Sequence, residues 1–234
     1  LDWVDPPKDA RWLDIGCGTG IFTELVVDTC SPTTVVANDP SATQIELARN
    51  KPFAQKVDFR VADAQMLPFA DNAFDVVASA LVINFIPDRA RAITEMRRVA
   101  RAGGVVTGYV WDFAANLSPT GPVRIGLSQI GTKTPLVSGT EESRPEALSS
   151  LFAEAGLQDI ATRTIDVTMS FPNFNDFWQT QKASYSPTGK VIAALSETDR
   201  EKLIEAVRAS MLASRDGSVA YSARANAIKA HVPG

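Results

Sequence analysis

Groups that usually carry proton or metal chemistry are scarce in this chain: its 234 residues include one histidine and two cysteines. Two thiols, Cys17 and Cys30, cannot build a disulfide framework, and a reduced, cytoplasmic setting is the expectation that follows. His231 stands close to the C-terminus, where chain ends are usually poorly ordered, and reads as tail. No metal site is expected. Basic charge is also short. Lys and Arg number 23 against 27 Asp and Glu, a net charge of −4 with a pI near 5.1, which argues against the basic face of a duplex nucleic-acid binder. No apolar run approaches the ~20 residues of a membrane-spanning helix, and no signal peptide is visible.

The chain does have an ordinary globular balance, 45% hydrophobic and 21% charged, at a length that suits one large α/β domain or one domain with a small appendage. Strand-like and helix-like stretches alternate, the pattern of a parallel sheet covered on both faces. Strands are expected at 11–15, 34–37, 57–61, 74–79, 105–111, 160–169 and 219–229. Helices are expected at 21–30, 42–50, 88–100, 144–155 and 198–213. In the first helix Phe22, Leu25, Val26 and Thr29 share a side; Ser41 is a plausible cap for the second, and Gly156 a C-cap for the fourth. The arginine clusters Arg89/Arg91 and Arg97/Arg98/Arg101 read as the solvated face of one helix. Two stretches break the alternation: 112–143, rich in Gly, Ser, Thr and Pro, and 171–197, which opens on Phe171, Phe174, Phe177 and Trp178. Connections this long are uncommon unless functional or mobile. The four aromatics could line an apolar pocket or cover the sheet; the second is favoured.

The most informative stretch runs Trp12-Leu13-Asp14-Ile15-Gly16-Cys17-Gly18-Thr19-Gly20. A strand feeding a glycine turn feeding a helix N-terminus is how open α/β sheets build nucleotide pockets, because glycine admits positive φ and close backbone approach. The spacing is G-x-G-x-G and not the dinucleotide-binding G-x-G-x-x-G. By itself the loop could equally be a tight turn. Asp39, roughly 20 residues on at the end of the second strand, is placed either to accept ribose hydroxyls or to sit at a helix N-terminus; the loop beside it favours ribose.

The loop, together with Val61-Ala62-Asp63-Ala64-Gln65-Met66-Leu67-Pro68-Phe69, Asp71-Asn72-Ala73-Phe74-Asp75-Val76-Val77, Ile93-Thr94-Glu95-Met96-Arg97-Arg98-Val99 and Ala102-Gly103-Gly104, resembles the class I S-adenosylmethionine (SAM)-dependent methyltransferases. The likeness runs from about Trp12 to Trp111 and more loosely from Arg144 to Ile165, and is greatest to the small-molecule group that includes the ubiquinone and menaquinone biosynthesis methyltransferases. It implies a three-layer, doubly wound, mostly parallel seven-stranded sheet with its last strand antiparallel, in a single domain over 1–234. The stretches 112–143 and 171–197 would be substrate-side insertions or a lid. Relatives carry one or two helices ahead of the first strand; here only a dozen residues precede it and Leu1 stands first, so those helices are expected to be missing from this sequence.

The same resemblance implies SAM as cofactor and S-adenosylhomocysteine as product, held by Asp14, Gly16, Cys17, Gly18 and Gly20 around the methionine part, Asp39 and Pro40 at the ribose, Asp63 and the Ala64 amide at the adenine, and Ser79 after the fourth strand. At Ser79-Ala80-Leu81-Val82-Ile83-Asn84-Phe85 the sequence lacks the Asn/Asp-Pro-Pro-Tyr/Phe box of amino-methylating relatives, which weighs against nucleobase methylation, and it lacks the histidine some relatives carry near Asn84-Phe85. A sulfonium methyl is already activated, so the protein needs chiefly to align the reactants and exclude water. Where a proton must leave, Tyr109 and Asp112 are the weak candidates; a core aromatic and a loop cap are their more ordinary roles. The leading expectation is a methyltransferase for a small, largely apolar or aromatic molecule, as a monomer or homodimer. Its rivals are a non-catalytic SAM-fold scaffold and, less favoured, an NAD(P)-dependent oxidoreductase, for which neither loop spacing nor a hydride-site pattern is visible.

Overall fold

The computed structural model describes residues 1–134, 136–183 and 186–234. The expectations over 112–143 and 171–197 include Pro135, Ser184 and Tyr185, which lie outside the described residues. In chain order the elements are β1 (Arg11–Ile15), α1 (Ile21–Thr29), β2 (Thr34–Asp39), α2 (Ala42–Arg49), β3 (Val57–Val61), β4 (Phe74–Ala80), α3 (Arg89–Val99) and β5 (Ala100–Trp111). There follow α4 (Gly121–Gln129), α5 (Pro145–Glu154), β6 (Gln158–Phe171), α6 (Phe174–Gln181), α7 (Pro187–Ala194), α8 (Glu197–Ala209), β7 (Leu212–Ala213) and β8 (Val219–His231). The sheet order is β3-β2-β1-β4-β5-β8-β6, with β7 paired to β8. Pairings from β3 through β5 are parallel. Val232 exchanges backbone bonds with Gly103 and Gly104 while Thr107 bonds the Ile228 carbonyl, so the partner of β5 runs antiparallel. The expected architecture is present with one strand more than the expected seven.

Two compact units divide the chain. The first comprises Leu1–Val110, Pro145–Arg163 and Ala227–Gly234. Its order reverses at β1, which has β2 on one side and β4 on the other; ligands in such sheets bind beyond the carboxyl ends of the strands at this point. The helices form where the sequence supplies caps. Ser41 accepts the Gln44 N–H and Asp88 accepts the Arg91 N–H. On α3 the buried stripe Ala92, Ile93, Met96 and Val99 joins Leu148 and Phe152 of α5 in the core cluster over β1 and β4. Asp75 fastens three strands at their opposite end: it accepts from the Arg11 backbone N–H (2.8 Å) and Nε (2.9 Å) and from Arg101 Nε (2.5 Å).

The second unit comprises Trp111–Arg144 and Thr164–Asn226 and has its own core, with Val123 and Leu127 against Phe177, Leu203, Val207 and Tyr221. Here the sequence expectations need correction. The stretch 112–143, expected without regular structure, contains α4: Pro122 is compatible with a helix's first turn, and at Gly126 an added Cβ would lie 2.8 Å from Val207 and 2.9 Å from Leu203, so glycine permits the close approach of α8. The stretch 171–197 holds α6 and α7, capped by Asn173 and Ser186. The aromatics at its start are core, with Phe171 and Phe177 ring centres 5.4 Å apart. The helix expected to reach residue 213 ends at Ala209. Leu212 and Ala213 pair instead with Ala220 and Val219 across a turn containing Gly217 at φ 87°.

Candidate functional site

Asp14 lies one residue from the end of β1 and is only 1% exposed. Thr23 of α1 donates its hydroxyl to Oδ2 at 2.6 Å, while Oδ1 is buried without a hydrogen-bond partner. Burial, reinforced by the nearby Asp39 carboxylate and opposed by Thr23, pushes the Asp14 carboxyl up to about 7. A buried acceptor left unsatisfied costs ~1–3 kcal/mol, so this atom calls for a donor.

Gly16, Gly18 and Gly20 all have positive φ, and the side chain is missing from them for two different reasons. At Gly16 a Cβ would come within 2.5 Å of Val82, and at Gly20 within 2.9 Å of Phe53; these two are dictated by packing. At Gly18 nothing stands within 4 Å of the Cβ position, so here the missing side chain leaves open space. The Gly18 N–H donates to Asp39 Oδ2 (3.0 Å), and the Ser41 N–H to Oδ1 (2.9 Å). Asp39 is thereby bound to the loop itself, and a carboxylate so held keeps further lone pairs for a ligand.

Beside the loop lies a cavity of about 590 Å³. Asp14, Gly16, Cys17, Gly18 and Thr19 form one wall; Phe22 and Leu25 of α1, Ala80, Leu81 and Tyr109 form the rest, with Glu24 and Asp28 at α1. Among the described residues no Lys, Arg or His lines it, so the fixed charge they bring is wholly acidic. The Tyr109 ring meets Phe22 edge-on with centres 6.0 Å apart, and burial followed by the Asp14 charge raises its phenol above the usual value. Burial likewise pushes up the Cys17 thiol, which is therefore neutral and a poor nucleophile. Leu81 has φ 63°, a strained conformation for a non-glycine residue, and its N–H is bonded to the Tyr109 carbonyl at 2.7 Å.

Of the residues singled out from sequence, the cavity gathers Asp14, Gly16, Cys17, Gly18 and Tyr109. Gly20, Asp39, Pro40, Asp63, Ala64 and Ser79 do not line it. Ser79 is buried and donates to the Ile15 carbonyl at 3.2 Å, joining β4 to β1. Asp63 is exposed, accepts from the Gln65 backbone and side chain, and is held below the usual carboxylate range by those bonds. Asp112 belongs to the second unit and caps a turn through the Ala115 N–H at 2.9 Å, the ordinary role for an acid there. His231 stands 3.8 Å from Asp159 and is no part of the cavity. Thr19, Ile21, Glu24, Asp28, Ala80 and Leu81 also line the cavity although no motif marks them as site residues, and Leu25, expected on one face with Val26, departs from it. Val26 is 1% exposed and Leu25 48%, because successive helical residues diverge by about 100°.

Residues 13–107 match the family described as a methyltransferase domain. A ubiquinone/menaquinone biosynthesis C-methyltransferase of Geotalea uraniireducens is 36% identical over 102 residues, 42% of this chain and 43% of that protein. The chloroplastic 2-methyl-6-phytyl-1,4-hydroquinone methyltransferase 2 of Oryza sativa is 34% identical over 158 residues, 68% of this chain and 42% of that protein. The chain thus spans less than half the length of these curated relatives. A solved structure of phosphoethanolamine N-methyltransferase 2 from Haemonchus contortus, in complex with S-adenosyl-L-methionine, superposes with a TM-score of 0.60 at 18% identity, covering 100% of this chain and 51% of that one. At that identity the match speaks for the fold.

Proposed function

We propose, from the premise that residues 13–107 form a class I methyltransferase domain, that this chain binds S-adenosylmethionine and passes its methyl group to a small, largely apolar or aromatic acceptor. The observation that carries this reading is the buried, unpartnered Asp14 Oδ1 on a cavity that also receives the open side of Gly18. An acceptor in need of a donor, in a cavity whose only fixed charges are negative, suits a ligand with an ammonium and a sulfonium. It suits a pyrophosphate poorly, and so argues against a dinucleotide.

When bound, SAM supplies an already activated methyl group on sulfur, and S-adenosylhomocysteine is the product. Asp14 would accept from the amino group of the methionine part, beside the Gly16–Gly18 backbone. Asp39, fixed by Gly18 and Ser41, would accept from ribose hydroxyls; Asp63 and the Ala64 N–H would meet the adenine. Phe22, Leu25 and Tyr109 provide an apolar wall that keeps water from the transfer and aligns the acceptor. A phenol raised by burial stays protonated near neutrality, so Tyr109 donates a hydrogen bond and does not serve as the base. The segments 112–143 and 171–197 serve acceptor recognition in this reading. Among the described residues no helix is long and apolar enough to cross a membrane; a cytoplasmic monomer or homodimer belongs to the same proposal.

Calorimetry with SAM, S-adenosylhomocysteine and NAD tests the cofactor. SAM and its product should bind and NAD should not, with Asp39→Ala weakening SAM about tenfold or more, the worth of hydrogen bonds to a charged group. Absence of SAM binding overturns the proposal. A mass-spectrometric search of metabolite extracts for a product heavier by CH₂ then identifies the acceptor, and no product across such extracts favours a scaffold.

A further inference from the structure

One stripe of α3 holds the segment that follows β3. Asp88, the helix cap, gives its backbone N–H to Gln65 Oε1 (3.0 Å), and Arg91 gives Nε–H to the Gln65 carbonyl (2.7 Å). One turn further, Glu95 accepts the Leu67 N–H (2.8 Å). Arg98 donates to the Leu67 and Phe69 carbonyls (3.0 and 2.8 Å) and pairs with Glu95 and Asp71, each at 2.7 Å. Spacings of three and four residues keep these four groups on one helix face. The Gln65 side-chain amide in turn lies 3.0 and 2.9 Å from the two Asp63 oxygens, and its backbone N–H lies 2.9 Å from Oδ1. An ionised carboxylate has about four lone-pair directions. Gln65 engages three of them and leaves one, on Oδ2, for another donor.

We propose that Gln65, docked on the α3 stripe, is a positioning residue that presents the remaining acceptor direction of Asp63 to an exocyclic amino group, so that the site selects a 6-aminopurine over a 6-oxopurine. The proposal rests on the cofactor reading above and deepens it. A 6-oxopurine brings an oxygen to the same place, and two facing acceptors leave each other unsatisfied. The rotamer of Asp63 and the path of residues 65–71 are fixed on folding, so ligand binding need not order them. The arginines here are tethers and not merely a solvated face.

Calorimetric titration of S-adenosylhomocysteine and S-inosylhomocysteine into the wild type, Asp63→Asn, Gln65→Ala and Glu95→Gln tests this. The wild type should prefer the adenosyl form about tenfold or more, as one charge-assisted hydrogen bond warrants, and Asp63→Asn should lose that preference. Gln65→Ala should erode the preference about threefold or more, chiefly by weakening the adenosyl ligand, with Glu95→Gln moving the same way. Should Glu95→Gln fail to fold, Gln65→Ala, which alters only a partly exposed turn, decides. Full retention of the preference in Gln65→Ala, or equal loss of both ligands, overturns the proposal. A wild type that binds S-adenosylhomocysteine without any preference overturns it and leaves the cofactor reading standing; one that binds neither ligand removes that reading itself.

Discussion

Asp14 opposes stability and, in the proposed function, would serve binding. Its folded carboxyl keeps a proton to about pH 7, whereas an unfolded aspartate releases it near 3.9. Between those values the folded state holds the extra proton, so stability falls as pH rises through the window, by on the order of 4 kcal/mol when fully expressed. Asp14→Asn retains an oxygen for Thr23 and removes the charge. The expected outcome is a ligand-free variant that melts above the wild type at pH 8, with the difference fading towards pH 4. Its SAM affinity should be lower about tenfold, as befits a lost charge-assisted bond. Melting curves at both pH values and calorimetry check it; an Asn variant less stable at pH 8 contradicts the account. The glycines separate in a similar way. Gly16→Ala meets Val82 at 2.5 Å and should unfold readily. Gly18→Ala enters open space and should cost only the ~1 kcal/mol of a positive φ, yet fill ligand volume. Comparing melting temperature with SAM affinity in the two variants tells packing from binding.

Among the elements, those of the first unit were largely readable because β1, β2 and β4 are short apolar runs bounded by turn residues, and α2 and α3 carry side-chain caps. The same signals misled in the second unit. Gly121, Pro122 and Gly126 look like breakers, yet the proline sits in a first turn and the glycine makes room for α8. No local periodicity reports such tertiary permission. The start of β5 was also hidden, since Gly103 and Gly104 suggest a stop while the strand runs from Ala100. What secures that end is Asp75, which Arg11 and Arg101 hold well below the ordinary carboxylate range. A depressed carboxyl stabilises in full above its unfolded value near 3.9, and that contribution erodes progressively as the pH falls from there to its folded value, so at about pH 3 it is partly lost. Asp75→Ala should therefore cost ~1–2 kcal/mol at pH 7, modest because both guanidinium groups are about two-fifths exposed, and less in strong acid. Urea denaturation at pH 7 and pH 3 measures it, and an undiminished effect at pH 3 would speak against the ionic tie.

At the scale of the whole molecule, the sequence disclosed the cofactor side far better than the acceptor side. Asp14, the glycine loop and Asp39 are adjacent or about 20 residues apart, so motif spacing reports them; Leu81, just past β4, and Tyr109 on β5 join Asp14 and the loop at the cavity only because the sheet order sets β4 beside β1 and β5 beside β4. Acceptor recognition has no comparable motif. It falls in our reading to segments 112–143 and 171–197, whose described residues belong to the second unit with its separate core. Two ligands should consequently leave two footprints in backbone hydrogen exchange. S-adenosylhomocysteine alone should slow exchange at residues 16–20, 39–41 and 63–67, where the proposed site would bring ligand to the backbone, and at 100 times its dissociation constant should add ~2.7 kcal/mol to global stability. Adding the acceptor once identified should extend protection to α4 and α6. If saturating acceptor slows exchange only in the first unit, the second unit is a structural appendage and specificity must be sought among Phe22, Leu25, Leu81 and Tyr109 alone.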